Sequence, residues 1–162
     1  MDSPTADRAD DAPDDPFPTF DPRVAEALVH GTRAEMGGGL PGYLGMRLVS
    51  VDAGEAVLEL DVRDDLMHSF GATHGGVVAA LVDHALGAAV FPLVPLGTWP
   101  ATLEFKLNYL AAARKGVLRA TATVVSFRKR TAVVRVEVDN DGRAVAAALG
   151  TISINPPAAP AG

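Results

Sequence analysis

The stretch HSFGATHGGVVAALVDHALGAAV, residues 68–90, reads as an almost unbroken apolar helix with Asp83 and His84 in its middle. Gly75 opens the helix, and the apolar pattern continues to about Phe91. A helix that is apolar on nearly all sides needs cover all round. A carboxylate taken out of water with it costs on the order of several kcal/mol unless it is partnered. Asp83 therefore has either a partner or a task. His84 is not that partner on the same helix, since consecutive helical residues point about 100° apart.

Upstream of this helix, DPRVAEALVHGTRAEMGGG (21–39) has Asp21 as an N-cap, Pro22 at the first helical position and glycines 37–39 as a stop. It predicts a helix of about four turns. YLGMRLVSV (43–51) and EAVLELDV (55–62), joined by DAGE, predict a β-hairpin. A polar loop, RDDLMHSFGAT (63–73), leads into the apolar helix, and a Pro-rich connection (92–101) leaves it. TLEFKLNYL (102–110) then alternates strictly, with Leu103, Phe105, Leu107 and Tyr109 on one face and Thr102, Glu104, Lys106 and Asn108 on the other. GVLRATATVVSF, TAVVRVEVD and, after the turn NDGR, AVAAALGTISI complete the strands. The implied architecture is α+β: a curved antiparallel sheet wrapped around a long apolar central helix, the hotdog fold. One domain is expected over residues 21–154, between disordered tails, acidic over 1–20 and rich in Pro and Ala over 155–162.

Composition narrows the chemistry. The chain of 162 residues has no cysteine, which removes disulfides, thiolate zinc sites and a thiol nucleophile together. Its four histidines show no metal-ligand spacing, so no metal is expected. The first residues hold no basic apolar run, and no segment has eighteen apolar residues free of charge, so the expected setting is the cytoplasm with no membrane partner. Basic stretches lack interleaved aromatics, which argues against nucleic acid. The net charge of −6 resides wholly in residues 1–22, where seven aspartates meet only Arg8. Residues 106–143 carry nine Lys and Arg against Glu137, Asp139 and Asp141. That excess fits either an anionic ligand or a solvated strand surface.

The segments GATHGGVVAALVDHALG, TLEFKLNYLAAARKGVLRATATVV and NDGRAVAAALGTISI resemble the PaaI-like acyl-CoA thioesterases of the hotdog superfamily, over roughly residues 43–154. The family's site motif is an Asn, a Gly three residues on, His-Gly-Gly, and an Asp nine residues after that His. Gly71, His74, Gly75, Gly76 and Asp83 match it, whereas His68 stands where Asn is expected. The resemblance implies an enzyme that cleaves an acyl-CoA to a free acid and CoA, with no cofactor beyond the CoA of the substrate. It also implies a homo-oligomer, a dimer or a dimer of dimers, with each site shared between subunits. Thr102 occupies the place where some members carry a Ser or Thr that positions water; strand propensity explains a Thr there equally well. Ala112 replaces the family's usual proline after the strand.

Thioester hydrolysis needs a donor for the carbonyl oxygen and a base or nucleophile on the carbonyl carbon. The turn His-Gly-Gly opening a helix supplies the first, since free N–H groups and the helix dipole meet incoming negative charge there. Gly75 is the expected oxyanion donor, Gly76 lets substrate approach the backbone, and His74 fixes the turn or touches substrate. Asp83 is the expected base or nucleophile, and His68 can donate a hydrogen bond in place of the amide. The helix length separates Gly75 from Asp83 by roughly 12 Å, so the two are expected to act from different subunits. Arg128, Lys129 and Arg130 are the expected contacts for the phosphates of CoA, with Arg114 and Lys115 as the second cluster. His84 and His30 have no expected catalytic role. Two other readings stay open: a catalytically silent acyl-CoA-binding module, and a hotdog hydratase or dehydratase, for which no local motif stands out.

Overall fold

In the computed structural model, which describes residues 19–30 and 38–156, the apolar stretch is helix α3 (Gly75–Val90), laid across a six-stranded antiparallel sheet. The strands are β1 (Arg47–Asp52), β2 (Glu55–Asp61), β5 (Trp99–Tyr109), β6 (Val117–Phe127), β7 (Thr131–Asn140) and β8 (Arg143–Asn155). They lie in the order β1-β2-β6-β7-β8-β5, which leaves β5 at an edge. The expected α+β wrapping of sheet around helix is what forms. The expected tails, over 1–18 and 157–162, and residues 31–37 of the expected first helix lie outside the described residues.

The core lies between α3 and the sheet. Leu81, Val82, Leu86 and Val90 of the helix and Leu58, Leu60, Leu118, Val134, Val136 and Ile152 of the strands have no accessible surface. Each such side chain contributes about 1.5–3 kcal/mol by leaving water. Helix and sheet pack tightly at Gly150 of β8, where an added Cβ would stand 2.8 Å from Leu86 Cδ1 and 2.8 Å from Phe105 Cβ.

Three expectations are corrected. First, α3 is not covered all round: Gly76, Ala79, Ala80, Asp83 and Gly87 form an uncovered or half-covered stripe, in which Gly76 and Asp83 are exposed. Asp83 therefore keeps its water within one chain, and the helix tolerates it because the sheet covers only the opposite side. Second, Tyr43 and Leu44 belong to a short helix, α2 (Gly39–Leu44), not to the first strand. Gly45, left-handed at φ 77°, stops α2, and the Arg63 guanidinium donates to Leu44 O at 2.9 Å. The first helix, α1, spans Pro22–His30, with Asp21 Oδ1 accepting the Arg23 N–H at 2.9 Å as an N-cap does.

Third, the strict alternation of residues 102–110 is interrupted. The pairing of β5 with β8 shifts register between Thr102 and Glu104: Thr102 pairs with the buried Ile152, Glu104 with Thr151, and Phe105 with Gly150. Leu103 is the extra residue of a β-bulge and is 62% exposed. The bulge turns Thr102 onto the helix-facing side, with Phe105, Leu107 and Tyr109. Within the polar loop, β3 (Met67–His68) and β4 (Ala72–Thr73) form a small hairpin that delivers the chain to the start of α3.

Candidate active site

The hairpin of β3 and β4 folds His68 back beside His74, with ring centroids 6.5 Å apart. His74 is the N-cap of α3. Its Nδ1 accepts the Gly76 N–H at 2.9 Å, and its carbonyl accepts the N–H groups of Val77 (2.9 Å) and Val78 (3.4 Å). Of the first helical amides, this leaves the Gly75 N–H without an acceptor among the described residues. The Gly76 amide, by contrast, is engaged within the turn. His68 Nδ1 accepts the Phe70 N–H at 3.1 Å. A neutral imidazole that accepts at Nδ1 carries its proton on Nε2. His68 and His74 thus each keep an Nε2–H donor beside a helix N-terminus, where the dipole favours negative charge.

Asp83 stands two turns further along α3. It shares an open cleft of about 670 Å³ with Ala79, Ala80, Thr102, Leu103, Glu104 and Phe105. The small alanines leave room beside the carboxylate, and the bulge places Thr102 opposite it. Gly75 instead lies against the far end of β5: a Cβ on it would meet the Tyr109 ring at 3.1 Å, and Tyr109 Oη donates to Gly75 O at 2.9 Å. Within one chain the Gly75 N–H and the Asp83 carboxylate therefore lie by different stretches of the edge strand, the first by Tyr109 and the second by Thr102 to Phe105. Neither the Tyr109 bond nor the bulge is visible in the sequence, since both depend on where α3 meets β5.

Arg128, Lys129 and Arg130 form the exposed turn between β6 and β7, fixed by the bonds Arg128 N–H to Thr131 O (2.8 Å) and Ile154 N–H to Arg130 O (2.9 Å). Arg114 and Lys115 lie in the loop after β5, which the Thr73 N–H ties beside the helix start through Ala113 O at 2.8 Å. Within one chain the two cationic groups stay apart. His84 is half-buried; burial lowers its pKa and the neighbouring Asp83 opposes that shift. Among the described residues, no grouping of three or more His, Asp or Glu is placed to hold a metal ion.

An antiparallel sheet around a helix whose open side presents a carboxylate and whose first N–H, that of Gly75, has no acceptor among the described residues has the architecture of a hotdog hydrolase. The comparisons with known proteins agree. Residues 70–147 match the thioesterase superfamily. The 1,4-dihydroxy-2-naphthoyl-CoA hydrolase of Listeria monocytogenes is 31% identical over 103 residues, 64% of this chain and 84% of that protein. The conserved protein PA5202 from Pseudomonas aeruginosa superposes with a TM-score of 0.72 at 30% identity, over 76% of this chain and 98% of that one. A variant of the phenylacetic acid degradation protein PaaI from Thermus thermophilus gives 0.65 at 32% identity, over 70% and 96%. The chain belongs to the thioesterase superfamily and is a PaaI-like hotdog thioesterase.

Proposed function

We propose that the protein hydrolyses acyl-CoA thioesters, with aryl or medium- to long-chain acyl groups, in sites that two copies of the chain build together. The observation that carries this reading is the separation, two turns apart on α3, of an open Gly75 N–H beside Tyr109 from Asp83 beside Thr102. The edge strand β5 is eleven residues long, with Trp99 67%, Leu103 62% and Tyr109 57% exposed. An unpaired apolar edge is a template for another strand. Antiparallel pairing of β5 with its two-fold copy, centred near Lys106, sets Leu103 opposite the partner's Tyr109. Asp83 of one subunit then meets the Gly75 end of the other. A homodimer is the smallest assembly with complete sites, and a dimer of dimers the next.

In such a site the thioester carbonyl oxygen lies at Gly75 N–H, with His68 Nε2–H in the place of an amide donor, and His74 holds the turn beside Gly76. Asp83 acts from the other face. As a base it takes a proton from a water held by Thr102, and the hydroxide adds to the carbonyl carbon. The tetrahedral oxyanion collapses, the C–S bond breaks, and CoA leaves as the thiol with a proton returned from Asp83. As a nucleophile, Asp83 would instead attack the carbonyl carbon and expel CoA as its thiolate, leaving an acyl anhydride that water opens to the free acid and the Asp83 carboxylate. Arg128, Lys129 and Arg130 steer the phosphates of CoA. No cofactor takes part in this reading, and the expected setting is the cytoplasm.

A second reading, a silent acyl-CoA-binding module, is favoured by His68 standing in the Asn position. One measurement separates the two: incubation with a panel of acyl-CoA esters and a thiol-trapping reagent. Thiol release that disappears in Asp83→Asn supports hydrolysis. Binding of acyl-CoA without release of thiol would establish the module instead.

A further inference from the structure

The peptide group between Gly75 and Gly76 is held at both ends by side chains. Its carbonyl accepts from Tyr109 Oη at 2.9 Å, and its N–H donates to His74 Nδ1 at 2.9 Å. The two bonds form a chain from phenol through peptide to imidazole, and successive hydrogen bonds of this kind polarise one another. The peptide so clamped shares its first Cα with the Gly75 N–H. Fixing its plane therefore fixes the reference for φ of Gly75, one of the two backbone rotations, with ψ of His74, that aim that N–H at a bound carbonyl oxygen.

Tyr109 is placed for this by the register of β5, not by local sequence, since 34 residues separate it from Gly75. Its ring stands 3.1 Å from where a Cβ on Gly75 would be, so it also packs against one side of the turn. More than half of the residue is exposed, at 57%. Within the chain, the phenol O–H donates to the first helical carbonyl, a bond that phenylalanine could not make.

We infer that Tyr109 is a positioning residue for the oxyanion donor, holding the Gly75 turn against the edge strand on which the subunits are proposed to meet. This rests on the thioesterase reading above. Tyr109 does not touch the reacting atoms; it acts through the 75–76 peptide.

The test is Tyr109→Phe, which keeps the ring and removes only the O–H. With an acyl-CoA that the wild type hydrolyses, kcat should fall roughly three- to tenfold, the worth of one hydrogen bond, while KM changes by less than about twofold. The dimer should persist in gel filtration. In protein labelled with ¹⁵N-glycine, the Gly76 amide resonance should move, because its peptide loses a donor. A kcat equal to wild type would overturn the inference and leave the thioesterase reading intact. A raised KM with unchanged kcat would also overturn it, making Tyr109 a substrate contact. A wild type that releases no thiol from any acyl-CoA would overturn the function, and this inference with it.

Discussion

Thr102 and Asp83 line one cleft from two elements, and they meet there because β5 bulges at Leu103. Without the extra residue's register shift, Thr102 would share the outer face with Glu104 and Lys106. Bulges beside active sites commonly re-aim a side chain in this way. The cleft side chain should therefore need its hydroxyl. Thr102→Ser is expected to keep nearly full kcat, and Thr102→Ala to lose roughly tenfold, the upper worth of one hydrogen bond, with KM little changed. Equal activity of the Ser and Ala variants would leave Thr102 with strand propensity as its only reason.

The sharing of sites between subunits is checked by mixing two inactive proteins. Asp83→Asn removes the carboxylate, and Gly75→Val drives a side chain into the Tyr109 ring. After subunit exchange at equal amounts, half the dimers should be mixed and each mixed dimer should hold one intact site. Recovery of about a quarter of wild-type activity is the expected ceiling for random pairing in a two-fold dimer. No recovery after mass spectrometry has verified the exchange would place both groups in one subunit's site.

Neutralising Arg128, Lys129 and Arg130 together should raise KM for an acyl-CoA with kcat nearly unchanged, because exposed cations act by attraction before the chemical step. The same variant should lose most of the wild type's salt dependence. An N-acetylcysteamine thioester, which lacks the phosphates, should be cleaved equally by both proteins. Unchanged acyl-CoA kinetics in low salt would leave the turn as a solvated hairpin and shift attention to Arg114 and Lys115.

His84 gives stability a pH dependence. Burial holds its pKa below the usual 6.5, against the opposing charge of Asp83. The unfolded chain therefore binds the proton more readily, and unfolding takes up a proton between the two values. Stability is full above the ordinary value and declines as pH falls through that window. Denaturant midpoints at about pH 7.5 and about pH 5.5 should differ less for His84→Gln than for the wild type. Identical differences would assign the acid sensitivity to other groups.

Gly150→Ala tests the tight packing of helix against sheet at β8. The new methyl would stand 2.8 Å from Leu86 Cδ1 and Phe105 Cβ and 3.0 Å from Glu104 O. Only the Leu86 side chain has an easy way to give, so a loss of about 1–3 kcal/mol in denaturant stability is expected, typical of overpacking. A variant as stable as the wild type would mean that β5 yields at this point.

The apolar run of α3, the order of its flanking strands and the His-Gly-Gly start were legible in the sequence because each is written in local pattern. Asp83 could be singled out as chemically notable, yet its exposure could not. Whether a helix is covered on one side or all round depends on the reach of the sheet, which no window of residues records. The bulge escaped because Leu103 continues a perfect alternation; only the fit of β5 to β8 breaks it. Tyr109 read as one more inward strand residue, since its hydroxyl finds Gly75 through tertiary contact alone. Tyr43 and Leu44 looked like the start of a strand because the left-handed Gly45 that ends α2 resembles any turn glycine.

The edge strand β5 has a consequence for how this protein lives at low concentration. A row of unpaired backbone groups carrying Trp99, Leu103 and Tyr109 joins its own copy or joins something else. In the shared-site reading, mass action governs both catalysis and solubility: dilution below the dissociation constant removes complete sites and bares the edge in the same step. Substitutions that weaken self-pairing would then show first as inclusion bodies and low yield, before any kinetic defect could be measured.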